Sequence, residues 1–379
     1  MRNFELETYF STCEFTARYH MTASDAESMT ISELLSLADV PADALLDQHL
    51  GYTETWGAPA LRAAIASTYE QLKPEDILCF AGAEEGVYTA MRVLLNKGDH
   101  AVVVVPNYQA AETVPLDVCD VTGVLLDQQN HWRLDPDAVR AAIRPNTRLL
   151  SVCFPNNPTG AIPSADDWQA IVDICRAHDL YLFSDEVYRG LELDQSKRIE
   201  QAADSYEKGL SLNVMSKAYG LPGLRIGWIG CRDKAVLQKL ERYKHYLSIC
   251  NSAASEPLAI IALGVRDKLQ TRIHTLMRSN LQQLDTFFER FSEYFDWQHP
   301  DGGCIAYPRF TGRGGVESFC QHLIEETGVL LLPASIYASE LMTAPADRFR
   351  IGFGRAGMAE GLAVFSDFMQ KHASTYAPE

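Results

Sequence analysis

An α/β fold is predicted for this chain: a large domain built on a mixed, mostly parallel sheet flanked by helices, followed by a small α+β domain. Three observations lead there. Ala101–Val105, Arg148–Phe154 and Leu180–Phe183 are short, β-rich apolar runs bounded by turn signals, and their apolar residues are consecutive rather than alternating. Strands covered by helices on both faces read that way. Asp166–His178, between the last two runs, carries a helical pattern, as a crossover between parallel strands requires. Finally, 379 residues exceed the size at which one core stops growing, so two domains are expected.

The elements follow in order. Leu6, Tyr9, Phe10 and Cys13 fall at helical spacing, which predicts a short amphipathic helix at the start. Thr30-Ile31-Ser32-Glu33 is a capping box leading into Leu34, Leu35 and Leu37. Pro59 suits the first turn of a helix with Leu61, Ile65 and Tyr69 on one face. From about residue 77 strands and helices alternate, and Arg225–Gly230 reads as a further buried strand. After Ser255 a long helical pattern passes through Leu258, Ile261, Leu276, Leu281 and Phe288, linking to a small domain whose strands include Gly302–Tyr307 and Phe349–Phe353. The expected division is an N-terminal segment, 1–40, contributing to the small domain and to a lid; a large domain, 41–280; and a small domain, 281–379.

Composition excludes several classes. The chain is 47% hydrophobic and 22% charged, as an ordinary globular protein is. A net charge of −17 disfavours nucleic acid and anionic membranes as partners. Its apolar runs are too short to span a bilayer. Acidic residues occupy the N-terminus where a signal peptide needs an apolar region, so a cytoplasmic location is expected. The nine cysteines form no C-x-x-C pair, and Cys79, Cys153 and Cys175 read as core residues. The ten histidines form no H-E-x-x-H or Cys/His cluster, so the sequence gives a metal site no support.

The chemistry concentrates in Ser216-Lys217-Ala218-Tyr219-Gly220-Leu221-Pro222-Gly223-Leu224-Arg225. A lysine in a partly desolvated site can lose its proton and condense with an aldehyde. An arginine offers a fork of donors suited to a phosphate. Pyridoxal 5'-phosphate carries both groups. Asp185 ends the run Leu180–Asp185, at the strand end where α/β sheets bind ligands, and a carboxylate there can keep a pyridine nitrogen protonated. Standing alone, it would be a helix N-cap. Pro155-Asn156-Asn157-Pro158-Thr159-Gly160 is a turn after a strand, and Ala81-Gly82-Ala83-Glu84-Glu85-Gly86 opens a helix whose free N–H groups attract phosphate. Arg350, between Phe349 and Ile351, needs a partner such as a bidentate carboxylate, either of a substrate or of a structural ion pair.

Together these motifs, in this order from Tyr52 to Arg350, resemble the fold-type-I pyridoxal-phosphate-dependent transferases of the class I/II aminotransferase family. The resemblance covers nearly the whole chain after about residue 40. It implies that Lys217 carries the cofactor and that Asp185 holds the pyridine nitrogen. Tyr188 and Asn157 then reach the ring's phenolic oxygen, and Tyr108 stacks on the ring. Gly82, Ala83, Ser216 and Arg225 hold the phosphate. Arg350, with Asn157, receives the substrate α-carboxylate. It also implies a homodimer in which Tyr52 reaches the neighbouring subunit's phosphate, with an α-amino acid and a 2-oxo acid as substrates.

Some positions depart from the family pattern. Val214 stands three residues before the lysine, where many members have a hydroxyl, and Ala83 offers none either. The opening segment lacks the usual glycine-containing substrate loop. A second reading is elimination, replacement or ring closure, as in the capreomycidine synthase branch, which acts on a basic amino acid. Glu5, Glu7 and Glu14 on the first helix, with Asp25 and Glu27 after it, fit an acidic lid for such a substrate, or else a solvated helix face. A nicotinamide-dependent dehydrogenase would need G-x-G-x-x-G directly after a strand, and Gly312-Arg313-Gly314-Gly315 has neither that spacing nor that context.

Overall fold

The structure is a computed structural model that describes residues 2–378. A seven-stranded sheet forms its centre, in the order Ile77–Phe80, Gly227–Cys231, Gly209–Val214, Tyr181–Asp185, Thr147–Cys153, His100–Val105, Asp120–Leu125. Gly227–Cys231 is antiparallel to both neighbours, and all other pairs are parallel. His100–Val105 is buried at all six positions, which explains the unbroken apolar run Ala101–Val105. The crossover helix is Ala165–Ala177, and its cap is Ser164, whose Oγ accepts from the Asp167 N–H at 3.1 Å.

This topology collects the functional loops at one edge. The parallel strands ending at Val105, Cys153, Asp185 and Val214 all deliver their next residues to the same side. The antiparallel strand starts there, so the residues just before Gly227 meet the loop after Phe80, its ladder partner. The left-handed backbone of Arg225 (φ 51°) keeps it out of the strand, which begins two residues later than the apolar run suggests.

The C-terminal elements pack on Arg266–Arg290. Phe349–Gly352 lies between Ile305–Ala306 and Leu332–Pro333 in an antiparallel sheet. Phe287, Phe295, Phe310, Phe319, Phe349 and Phe365 fill the space beneath it; Phe310 stacks on Phe319 at 4.2 Å and Phe287 meets Phe365 at 4.5 Å. Each such burial contributes about 1.5–3 kcal/mol. Tyr19–His20 pairs in parallel with Val329–Leu330, tying the N-terminal segment to these elements.

Three local expectations need correction. The helix from Pro59 stops at Ala66, and Tyr69 lies beyond it with its ring buried in the core and its hydroxyl accepting from Trp228 Nε1 at 3.1 Å. The helical stretch after Ser255 is two helices, Ser255–Gly264 and Arg266–Arg290, divided at Val265. Of Gly302–Tyr307 only Ile305–Ala306 is strand, since Gly303 takes a left-handed turn (φ 78°) and the Gly302 N–H bonds the Gly160 carbonyl.

Candidate active site

A cavity of about 470 Å³ opens at the carboxyl edge of the sheet. Its floor comes from Ala83, Cys153, Asn157, Asp185, Tyr188, Val214, Ser216 and Lys217, and its roof from Leu6, Glu7, Phe10, Glu14, His20 and Ser24. The chain therefore folds its own first residues over the strand ends. The helix Glu5–Cys13 is anchored there by the Leu6 N–H on Gln109 Oε1 (3.1 Å) and by Phe4 edge-on to Tyr108 (5.4 Å).

Lys217 lies in the loop after Gly209–Val214, and its Nζ donates to Ser24 Oγ at 3.0 Å. Burial pulls its pKa below the ordinary lysine value; the Arg350 charge adds to this and the Asp25 charge opposes it. Asp185 is 6% exposed, and burial pushes its carboxyl up to about 6. The Val187 N–H, which donates to Asp185 Oδ1 at 3.1 Å, and the Lys217 charge offset that only in part. No helix follows Asp185 directly, so it is no helix cap. A buried carboxyl in this state gains from a cation placed against it.

Gly82 and Arg225 form a cradle. Gly82 has φ 102°, and a Cβ there would meet Arg225 Nη2 at 2.5 Å. A Cβ on Gly227 would sit 2.7 Å from the Gly82 backbone. The Arg225 guanidinium donates to the Pro222 carbonyl at 3.2 Å and has no carboxylate partner among the described residues. No side chain caps the helix Ala83–Leu94. Its free first N–H groups, a cation and the buried Ser216 hydroxyl make an anion site that asks for a phosphate. An aldehyde-reactive amine, a carboxyl short of a cation and an anion cradle on one cavity fit pyridoxal phosphate.

Asn157 Oδ1 accepts from the Tyr337 hydroxyl at 2.9 Å and from Arg350 Nη1 at 3.4 Å, which orients its amide and leaves the NH₂ as the free end. The Tyr108 ring lines the cavity, with its hydroxyl donating to Glu7 Oε1 at 2.9 Å. The Tyr188 hydroxyl donates to the Ser24 carbonyl at 2.9 Å rather than standing free. Arg350 is 1% exposed and bonds Thr22 and Tyr337, with no carboxylate partner among the described residues. Phe10 covers its guanidinium at 5.5 Å. Tyr52 is elsewhere: it is 91% exposed, beside a surface depression lined by Cys250–Ala254.

The N-terminal acids divide. Glu7, Glu14 and Asp25 line the cavity. Glu5 turns to Asn3, and Glu27 accepts from the Ala356 N–H. Sequence reading missed Ser24, Tyr337, Glu84 and the Asp25–Arg355 pair, bidentate at 2.9 Å. Asp25 and Arg355 lie 330 residues apart, so no local spacing signals them.

The family described as aminotransferase class I and II matches residues 37–363. Capreomycidine synthase of Streptomyces vinaceus is 29% identical over 373 residues, 97% of this chain and 94% of that one. The crystal structure of a PLP-dependent aminotransferase from Streptococcus suis superposes with a TM-score of 0.91 at 27% identity, covering 98% of both chains. The PLP-dependent cyclase OrfR shares the fold, with a TM-score of 0.89 at 24% identity over 98% of both chains. This chain therefore belongs to the class I and II aminotransferases, fold-type-I pyridoxal-phosphate-dependent enzymes that act on an α-amino acid and a 2-oxo acid.

Proposed function

We propose that Lys217 is the residue that carries the cofactor and that the substrate is an α-amino acid with a cationic side chain. The observation behind the first part is the shared cavity of Lys217, Asp185 and the Gly82–Arg225 cradle. Bound pyridoxal phosphate supplies an electron sink for the bond broken at the substrate's Cα. The protein's own groups do the rest. Asp185 would keep the ring nitrogen protonated, while Arg225, Ser216 and the N–H groups at Gly82–Ala83 would hold the phosphate. Tyr108 would pack on the ring, and the free amide of Asn157 and the Tyr188 hydroxyl would donate to the phenolic oxygen. Arg350 and Asn157 receive the substrate α-carboxylate. The Lys217 amine, whose pKa burial lowers, would take the proton from Cα and return it. The Glu5–Cys13 helix keeps water out.

The substrate side chain meets acids. Glu7 is engaged by Tyr108 and Asp25 by Arg355, but Glu14 has only His20 at 3.8 Å, and Glu84 Oε2 has no partner among the described residues. Burial pushes Glu14 up and Glu84 up to about 7, so a cation entering the cavity is favoured by both. The full-length similarity to capreomycidine synthase favours elimination or ring closure on a basic amino acid as the second reading.

We also infer a cytoplasmic homodimer. Supporting it are nine unpaired cysteines and the exposed Leu50 and Tyr52, which line the surface depression with Cys250–Ala254. Tyr52 of the partner subunit would complete each phosphate site.

A substrate panel tests the reading. Basic, aromatic, aliphatic and acidic amino acids are supplied with and without a 2-oxo acid acceptor, and loss of the amino acid and the masses of the products formed from it are followed by mass spectrometry. Turnover of basic amino acids that requires the acceptor supports transamination of a cationic substrate. Turnover without acceptor supports elimination or ring closure. Turnover restricted to apolar amino acids overturns the acidic lid.

A further inference from the structure

A second cluster of ligating side chains lies on the C-terminal helices, among residues the catalytic site does not use. His322 and Glu326 are one turn apart on the helix Gly315–Thr327, and His372 stands at the junction of Met358–Lys371 and Ala373–Tyr376. His322 Nε2 and His372 Nε2 approach the same oxygen, Glu326 Oε2, at 3.3 and 2.9 Å. All three ligand atoms lie within 4.8 Å of one another.

We propose that His322, Glu326 and His372 form a binding site for a zinc-type divalent cation. Zinc bonds to imidazole nitrogen and carboxylate oxygen are about 2.0–2.1 Å, which sets neighbouring ligand atoms in a tetrahedron about 3.3 Å apart. The His322 spacing of 3.3 Å already matches, the His372 spacing of 2.9 Å has only to open slightly, and ring rotations bring the nitrogens together. Two nitrogens and one oxygen suit zinc, nickel or copper rather than magnesium or calcium.

The rings are also held in place. His322 Nδ1 is bonded to the Tyr376 hydroxyl at 2.7 Å, which leaves Nε2 for the metal and supplies the outer contact that orients ligating histidines. Phe368 packs against both rings, 5.0 Å from His322 and 4.6 Å from His372. Water would fill the fourth position on the exposed side. The site would clip the last two helices to Gly315–Thr327. Sequence patterns show only the His322–Glu326 pair, because the third ligand is 46 residues further on than Glu326.

The competing description is a plain ion-pair network, since Lys371 Nζ holds Glu326 Oε1 at 2.8 Å. The two diverge on removing that lysine. Tag-free, cofactor-loaded protein is dialysed against chelator, then against zinc chloride, and bound zinc is counted by mass spectrometry and titrated by calorimetry. The expected result is one micromolar site per chain. It should weaken at least tenfold in Glu326→Gln and in the His322→Gln/His372→Gln pair, and be unchanged or tighter in Lys371→Met. Bound cofactor, measured by absorbance, should be equal in all of them. Absence of a stoichiometric site in the native protein overturns the proposal, as does unaltered zinc affinity in Glu326→Gln and the double variant.

Discussion

Asp185→Asn should stabilise the cofactor-free protein while disabling the enzyme. The carboxyl is raised from 3.8 to about 6, chiefly by burial. At 1.36 kcal/mol per unit, that displacement corresponds to about 3 kcal/mol of native-state cost once the group is ionised. The sign follows from proton binding. Between pH 4 and 6 the folded form holds the proton that the unfolded form has released, so stability falls as pH rises through this window and the full cost persists above it. Asparagine keeps the shape and can still accept from the Val187 N–H, but it never ionises. The variant without cofactor should therefore melt above the native protein at pH 8, and the gap should shrink towards pH 5. Scanning calorimetry of both, stripped of cofactor, across pH 5–8 measures it. Turnover should fall on the order of a hundredfold or more, with a much smaller loss of cofactor affinity. A variant that melts lower than native at pH 8, or a gap that does not change with pH, refutes the burial argument. Near-normal turnover refutes the role at the ring nitrogen.

Lys217→Ala should abolish both turnover and the borohydride-trapped cofactor adduct, which peptide mapping of the native protein should place on Lys217 alone. Gly82→Ala adds a Cβ against the Arg225 guanidinium at a backbone angle that side chains rarely adopt. Such strain is of order 1–3 kcal/mol, and cofactor affinity measured by fluorescence titration should drop about tenfold or more. Mixing Tyr52→Phe with Lys217→Ala subunits should restore wild-type cofactor affinity at the one site that keeps Lys217; affinity as weak as in the Tyr52→Phe homodimer would show that the tyrosine serves its own chain.

Local patterns carried the floor of the site. Asp185, Asn157 and Tyr108 stand just after runs that are apolar on both faces, and in a parallel sheet every such end falls on one edge, so one-dimensional order translates directly into proximity. Lys217 and Arg225 were legible for a similar reason, being close in sequence on either side of the turn into an antiparallel strand. The strand limits were less so, because Arg225 and Gly303 leave the ladder through left-handed backbone that an apolar run does not reveal. The individual contacts of the roof were out of reach. Ser24 on Lys217, Asp25 on Arg355 and Thr22 on Arg350 come from a segment held by two residue pairs, Tyr19 with Val329 and His20 with Leu330, over 300 positions away. The shifts at Lys217, Asp185 and Glu84 belong to the same category. Each arises chiefly from desolvation, which depends on what packs around a group in three dimensions, and only the folded chain decides that.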